Sequence, residues 1–143
     1  MKPLKNACAV VACAAVILGQ LGCPTLMSTV RYSETAYNTD KSIKAESLAL
    51  IARAKDRAPY SGVAADVDQL MAKVDITISA EQARAKNFPT VEQWKKVKTQ
   101  LGNLFGLWKT KGSLSPAFVD DAKTQVGSLF DILLKTENDK PHS

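Results

Sequence analysis

The sequence predicts an all-α protein, an antiparallel bundle of about four helices that follows an N-terminal signal segment. Two observations lead to this prediction. Four stretches of the chain repeat apolar residues at every third or fourth position, which places those residues on one face of a helix. Short segments containing proline, glycine, serine or asparagine separate the stretches, and short connections favour antiparallel neighbours.

The first helix is predicted over residues 29–58, where alanine is frequent and neither glycine nor proline interrupts the chain. Its apolar face comprises Ile43, Leu48, Leu50, Ile51 and Ala54. The second helix is predicted over residues 62–86 and has the most regular helical spacing in the chain. Its apolar positions are Val63, Val67, Leu70, Met71, Val74 and Ile78.

The third helix is predicted to begin at Thr90, because Thr90 and Gln93 have the spacing of a capping box. Its apolar positions are Trp94, Val97, Leu101, Leu104 and Trp108. Gly102 and Gly106 lie inside this stretch, and each glycine costs a helix about 1 kcal/mol relative to alanine. Either another backbone approaches closely there or the helix breaks near Gly102, and the break is the favoured expectation.

The fourth helix is predicted to begin at Ser115-Pro116, with serine as N-cap and proline in the first turn. Its buried face is predicted to comprise Phe118, Ala122, Val126, Leu129 and Leu133. The residues that follow are polar and predict a disordered tail. The predicted organisation is therefore a signal peptide over 1–22, a tether over 23–28, a helical bundle domain over 29–135 and a disordered tail over 136–143.

The N-terminal segment predicts export. Lys2 and Lys5 precede an almost wholly apolar run over residues 7–21, which is shorter than the roughly 20 residues that a membrane-spanning helix needs. The 143-residue chain has 19 basic and 14 acidic residues. Removal of the signal takes two lysines and no acid, which leaves a net charge of +3. This mild excess and the expected export both argue against a nucleic-acid partner.

The sequence Leu21-Gly22-Cys23 resembles the end of a bacterial lipobox, whose cysteine is acylated and becomes the new N-terminus. The resemblance implies lipidation of Cys23 and attachment to a membrane. Gln20 stands where an aliphatic residue is usual, so a plain cleaved signal, with a soluble periplasmic or secreted product, stays an alternative. Pro24, where an inner-membrane retention signal would have Asp, implies an outer membrane lipoprotein that faces the periplasm.

The two tryptophans and the entry Leu114-Ser115-Pro116-Ala117-Phe118 resemble a group of small exported helical bacterial proteins of unassigned function. That resemblance implies a fold and no activity. His142 is the only histidine and lies in the predicted tail, and all three cysteines lie in the N-terminal segment. The chain also lacks nucleophile and phosphate-loop motifs. We therefore expect no catalytic residue, no metal site and no cofactor.

One basic stretch is a candidate contact for an anionic partner. Glu92 is the only acid between Phe88 and Val119. The basic residues of the stretch are Lys95, Lys96, Lys98, Lys109 and Lys111. They are either an ordinary solvated helix face or a binding surface for lipid headgroups, a cell-wall polymer or an acidic protein.

These observations favour a lipid-anchored envelope interaction or scaffold protein that is not an enzyme. The partners expected are the membrane, through the N-terminal lipid, and an envelope protein or anionic polymer. One alternative is a chaperone resembling the pilotins, small lipoproteins that escort a secretion component. Another is a cell-wall hydrolase that uses carboxylates, which would need two acids converging on a cleft.

Overall fold

The computed structural model describes residues 30–142, except for the side chain of Asp56. Four helices cover most of this range: α1 is Glu34–Arg53, α2 is Ala64–Ala83, α3 is Phe88–Lys111 and α4 is Pro116–Asn138. Two short 3₁₀ turns, Ala54–Asp56 and Tyr60–Gly62, connect α1 to α2. The prediction of an all-α bundle is confirmed. The predicted signal peptide, tether and lipidation site at Cys23 lie outside the described residues.

Each helix packs against two neighbours, α1 against α2 and α4, and α3 against α2 and α4. Short connections alternate the helix directions, so both ends of the described chain lie at one end of the bundle. There the N–H of Tyr32 donates to the carbonyl of Pro141 at 3.1 Å. We call this the terminal end, formed by the starts of α1 and α3 and the ends of α2 and α4. The opposite loop end comprises residues 54–63 and 112–115.

Aromatic side chains fill the core between the helices. Trp94, Trp108 and Phe130 are fully buried, and the rings of Trp94 and Phe130 meet edge to face at 5.7 Å between centroids. At the loop end Trp108 contacts the Tyr60 ring at 5.9 Å, and its indole N–H donates to the Ala58 carbonyl at 3.0 Å. The tryptophan positions predicted from the sequence are therefore core positions.

Helix α3 is continuous, so the predicted break near Gly102 is wrong. The alternative, a close backbone approach, is also wrong, because a Cβ at Gly102 or Gly106 would meet no atom within 4 Å. The predicted start at Thr90 is wrong as well. The helix begins at Phe88 and takes Pro89 into its first turn, where proline's missing N–H costs nothing. Thr90 is then turned into the interior and is buried.

Helix α4 differs from its prediction in face and length. Phe118 is 39% exposed, and the buried face comprises Val119, Ala122, Val126, Phe130 and Leu133. The helix continues to Asn138, and Glu137 and Lys140 are buried. The ring of His142 stacks on Tyr32 at 4.3 Å between centroids. The prediction of a disordered tail is therefore wrong for residues 136–142, because long-range contacts order this polar segment.

None of the helices in residues 30–142 combines the length and the apolar character needed to cross a membrane.

Candidate functional site

A buried ionic cluster closes the terminal end of the bundle. Its centre is Arg84, which extends from the residue after α2 towards Glu137 on α4. The two guanidinium Nη atoms donate to the two carboxylate oxygens of Glu137 at 2.8 and 3.0 Å. Arg84 also donates to Glu81 Oε2 at 2.7 Å. This bidentate pairing is the strong geometry for a guanidinium and a carboxylate, and it joins α2 to α4.

Lys140 and Asn87 complete the ionic cluster. The Lys140 ammonium donates to Asn87 Oδ1 at 2.8 Å and pairs with Glu137. The Asn87 amide in turn donates to the carboxylate and to the backbone carbonyl of Glu81. Glu137 is fully buried and Glu81 nearly so. Their charges are balanced inside the cluster by one guanidinium and one ammonium, which is the condition under which buried carboxylates are tolerated.

The ionic cluster also holds the chain where it enters α1. The backbone N–H of Ser33 donates to Glu137 Oε1 at 2.8 Å, and Arg84 Nη2 donates to the carbonyl of Arg31 at 2.6 Å. Ser33 is the N-cap of α1, and its hydroxyl accepts from the N–H of Ala36. The entry point of the chain is thus bound to both α2 and α4.

Asp40 on α1 is the unbalanced member of this region. It is 1% exposed, and its Oδ1 has no hydrogen-bond partner among the described residues. Burial raises the pKa of Asp40 to about 7, with further contributions from the carboxylates of Glu81 and Glu137. Lys140 and Arg84 oppose this rise only in part. Asp40 therefore changes its charge near neutral pH.

The pKa of Glu137 is shifted in the opposite direction to that of Asp40. Burial alone would raise the pKa of its carboxyl group, but hydrogen bonds from Arg84, Lys140 and the Ser33 N–H outweigh burial and lower it. The carboxylates of Glu81 and Glu137 thus accept hydrogen bonds from partners inside the cluster. Among the described residues, no His, Cys, Asp and Glu side chains gather into a group of three that could hold a metal. The contacts of the cluster are structural: they hold the chain entry, the end of α2 and the end of α4 together.

The five lysines predicted as an anionic contact do not form one surface. At about 100° per residue, Lys95, Lys98 and Lys109 lie within roughly 60° on one side of α3, while Lys96 and Lys111 lie on the other. Lys95 pairs with Glu92 at 2.7 Å and Lys98 with Asp75 on α2 at 2.5 Å. The other three are exposed and make no ion pair with a described side chain.

A shallow groove between α3 and α4 is the most apolar feature near these lysines. Its volume is about 160 Å³. Leu104, Leu107, Phe118 and Ala122 form its floor, and Gln100, Asn103, Asp121 and Gln125 form its rim. Phe118, which the sequence pattern assigned to the core, is 39% exposed and lines this groove.

Sequence reasoning missed the ionic cluster. The signal available was weak: Glu81 and Arg84 at the end of α2 have the same three-residue spacing as Glu137 and Lys140 at the end of α4. Such pairs are common on solvated helix faces, where they contribute little. Only the long-range contact of Arg84, which follows α2, with Glu137 near the end of α4 brings the two pairs together in one site.

A comparison with protein-family models, with curated proteins and with solved structures finds no match for this chain.

Proposed function

We propose that this chain is a lipid-anchored interaction or scaffold protein of the bacterial envelope, without catalytic activity. It is exported, cleaved before Cys23, acylated on that cysteine and held at the outer membrane facing the periplasm. The observation that best supports the proposal is the position of the chain entry. Residues 30–33 lie at the terminal end and are bound there by Glu137 and Arg84. A tether from Cys23 would therefore attach to a fixed point and leave the opposite end and the sides of the bundle accessible.

The remaining features fit a binding role better than catalysis. The carboxylates that converge in the structure are consumed by internal ion pairs, and Asp40 is closed off from solvent. Two features that a partner can reach are the unpaired lysines Lys96, Lys109 and Lys111 and the groove beside Phe118. An anionic partner would use the lysines, whereas a peptide with an apolar anchor would use the groove.

The proposal is tested by Cys23→Ala in the full chain, with Cys13→Ala as the matched control inside the predicted signal. Cys23→Ala should block maturation or move the protein from the membrane to the soluble fraction. Cys13→Ala should be processed and fractionate like the wild type. Normal processing and unchanged membrane association of Cys23→Ala would contradict acylation at that residue.

The groove between α3 and α4 favours a second candidate, a pilotin-like escort that holds a segment of a secretion component. Photo-crosslinking in the native envelope separates the two modes of binding. Phe118→Ser should abolish recovery of the partner if the groove holds a peptide. Replacement of Lys96, Lys109 and Lys111 by glutamate should abolish it if the partner is anionic. Capture unaffected by both variants would contradict both surfaces.

A further inference from the structure

We propose that the terminal end is the face that this protein lays against an anionic phospholipid membrane, with Phe88 inserted at the interface and Lys86 and Arg31 facing the headgroups. The proposal rests on the proposed function in one respect, because acylation of Cys23 would supply the tether. Its own support is the surface of the turn between α2 and α3.

Phe88 is 69% exposed at the tip of this turn. Its neighbour Asn87 is buried in the ionic cluster and bonded to Lys140 and Glu81, which fixes the turn and holds Phe88 outward. Ala85 and Pro89 beside it are also exposed. An exposed aromatic ring among small apolar residues at a bundle end is costly in water and favourable at the boundary of headgroups and acyl chains.

The charges at the terminal end complement an anionic membrane. Arg31 and Lys86 are exposed, and neither side chain makes an ion pair with a described side chain. Asp139 is neutralised by Lys135 at 2.5 Å. Glu34 is the one exposed carboxylate at this end of the described chain that has no ion-pair partner. Each uncompensated cation near an anionic surface strengthens binding about fivefold.

Some cations on the sides and at the loop end of the bundle are matched by carboxylates across helix boundaries, whereas Lys96, Lys109 and Lys111 of α3 are not. Lys44 pairs with Asp131, and Lys55 pairs with Asp120. Lys73 of α2 pairs in the same way with Glu46 of α1. These pairs reduce the free positive charge on the faces that α1 shares with α2 and α4.

With Cys23 anchored in the membrane, as proposed above, the length of the connecting chain excludes the loop end as the membrane face. Seven residue steps separate Cys23 from Val30, and they span at most roughly 25 Å when fully extended. Helix α3 has 24 residues and is about 36 Å long. A bundle standing on its loop end would hold Val30 about 36 Å above the membrane, beyond the reach of the connecting chain. A bundle standing on its terminal end holds Val30 close to the membrane, within reach of the connecting chain.

The test places the photo-crosslinking residue p-benzoylphenylalanine at one of three positions of the full, processed chain. Position 88 is the proposed insertion point. Position 76 is the matched control, because Ile76 is also 69% exposed but lies seven residues before the end of α2, about 10 Å up its side. Position 61 marks the loop end. The protein is reconstituted in 3:1 phosphatidylcholine–phosphatidylglycerol vesicles that carry a clickable phospholipid, and lipid adducts are counted after irradiation.

Lipid adducts at position 88 should exceed those at position 61 by on the order of tenfold, and those at position 76 should be intermediate or low. Lys86→Glu should lower the yield at position 88. Equal yields at 88 and 61, or a yield at 76 above that at 88, would overturn the proposal. The intact mass of the same sample reports acylation separately. An unacylated protein that still forms adducts at position 88 would contradict the proposed lipidation and support this inference, whereas an acylated protein without them would do the reverse.

Discussion

The two ends of the bundle are closed by opposite chemistry. The loop end is held together mainly by apolar packing. Trp108 packs on Tyr60 and makes one hydrogen bond, to the carbonyl of Ala58. At the terminal end, Glu81, Asn87, Glu137 and Lys140 are buried around the half-buried Arg84. Asp40 lies buried nearby. Apolar packing stabilises almost independently of pH, whereas a buried ionic cluster is pH-sensitive and fails if one partner is removed. The pH-sensitive ionic cluster therefore lies at the terminal end, where the chain enters α1.

That difference suits a tethered protein. A pull on a lipid anchor at Cys23 would act on the chain just before Ser33. The Ser33 N–H and the Arg31 carbonyl are bonded to Glu137 and Arg84, so the force would pass into α2 and α4 and would not peel α1 from its N-terminus. The loop end bears no such load and needs only its apolar closure.

The largest predicted effect comes from breaking the ionic cluster. Glu137→Leu should lower the free energy of unfolding by about 3–5 kcal/mol, because it leaves the buried Lys140 and the half-buried Arg84 with too little negative charge. Urea unfolding measures the loss. The matched control is Asp131→Leu on the same helix, which removes the exposed pair with Lys44 and should cost about 1 kcal/mol or less. Equal losses from the two variants would mean that the cluster is no stronger than a surface pair.

The next effect is the pH dependence set by Asp40. Its pKa is raised to about 7 in the folded state from 3.8, so the folded protein binds a proton more tightly than the unfolded chain. Stability from this group is therefore full at acid pH and decreases as the pH rises towards 7, by about 2–4 kcal/mol. The pKa of Glu137 is lowered from its ordinary value of 4.5. The stability that Glu137 contributes is therefore present above pH 4.5 and is lost as the pH falls below that value.

Asp40→Asn should remove the decrease between pH 5 and pH 7 and should stabilise the protein at pH 8. Urea unfolding across this pH range gives the slope directly. Glu34→Gln, which changes an exposed carboxylate at the same end, is the control and should keep the slope of the wild type. A wild-type stability that rises steadily from pH 5 to pH 8 would contradict the burial of an unbalanced carboxylate.

A smaller effect separates the two tryptophans. Trp108→Phe should destabilise the loop end by about 1–3 kcal/mol, because the Ala58 carbonyl loses its partner. The indole N–H of Trp94 is buried without a partner among the described residues, so Trp94→Phe removes an unsatisfied donor and should cost less. Thermal unfolding of both variants measures the difference. A greater loss from Trp94→Phe would contradict the view that the Trp108 indole is hydrogen-bonded and the Trp94 indole is not.

The smallest effects concern glycine. Gly102→Ala should stabilise the protein by up to about 1 kcal/mol, because the residue is helical, exposed and surrounded by open space. Gly112→Ala should destabilise it by about 1 kcal/mol, because Gly112 ends α3 with a φ of 74° that favours glycine. Thermal unfolding of the two variants should therefore shift in opposite directions. Shifts in the same direction would contradict the continuous helix or the capping role of Gly112.

The sequence predicts the helices and most of the core because both depend on local periodicity. Val67, Val74 and Trp94 are buried where the spacing places them. The terminal end escaped prediction because its partners are remote: Arg84 is 53 residues from Glu137, and Ser33 is 104 residues from it. Residues 136–142 are polar, and only those remote partners order them. On α4 the prediction is correct for Ala122, Val126 and Leu133 but wrong at the start of the helix, where Val119 is buried and Phe118 is exposed.

The candidate surfaces show the same division. The basic composition of the stretch from Lys95 to Lys111 is evident in the sequence, but its ion pairs depend on α2 packing beside α3, as the contact of Lys98 with Asp75 shows. The exposure of Phe88 likewise depends on the start of α3, because the capping pattern predicted Thr90 as the N-cap and the N-cap is Asn87, three residues earlier.

The most direct test of the central proposal, that this bundle is tethered by a lipid at one end, is the intact mass of the mature protein isolated from its native envelope. The proposal predicts a chain that begins at Cys23 and carries the added mass of acyl groups on that residue. A chain that retains residues 1–22, or one that begins elsewhere and carries no acyl group, would contradict it.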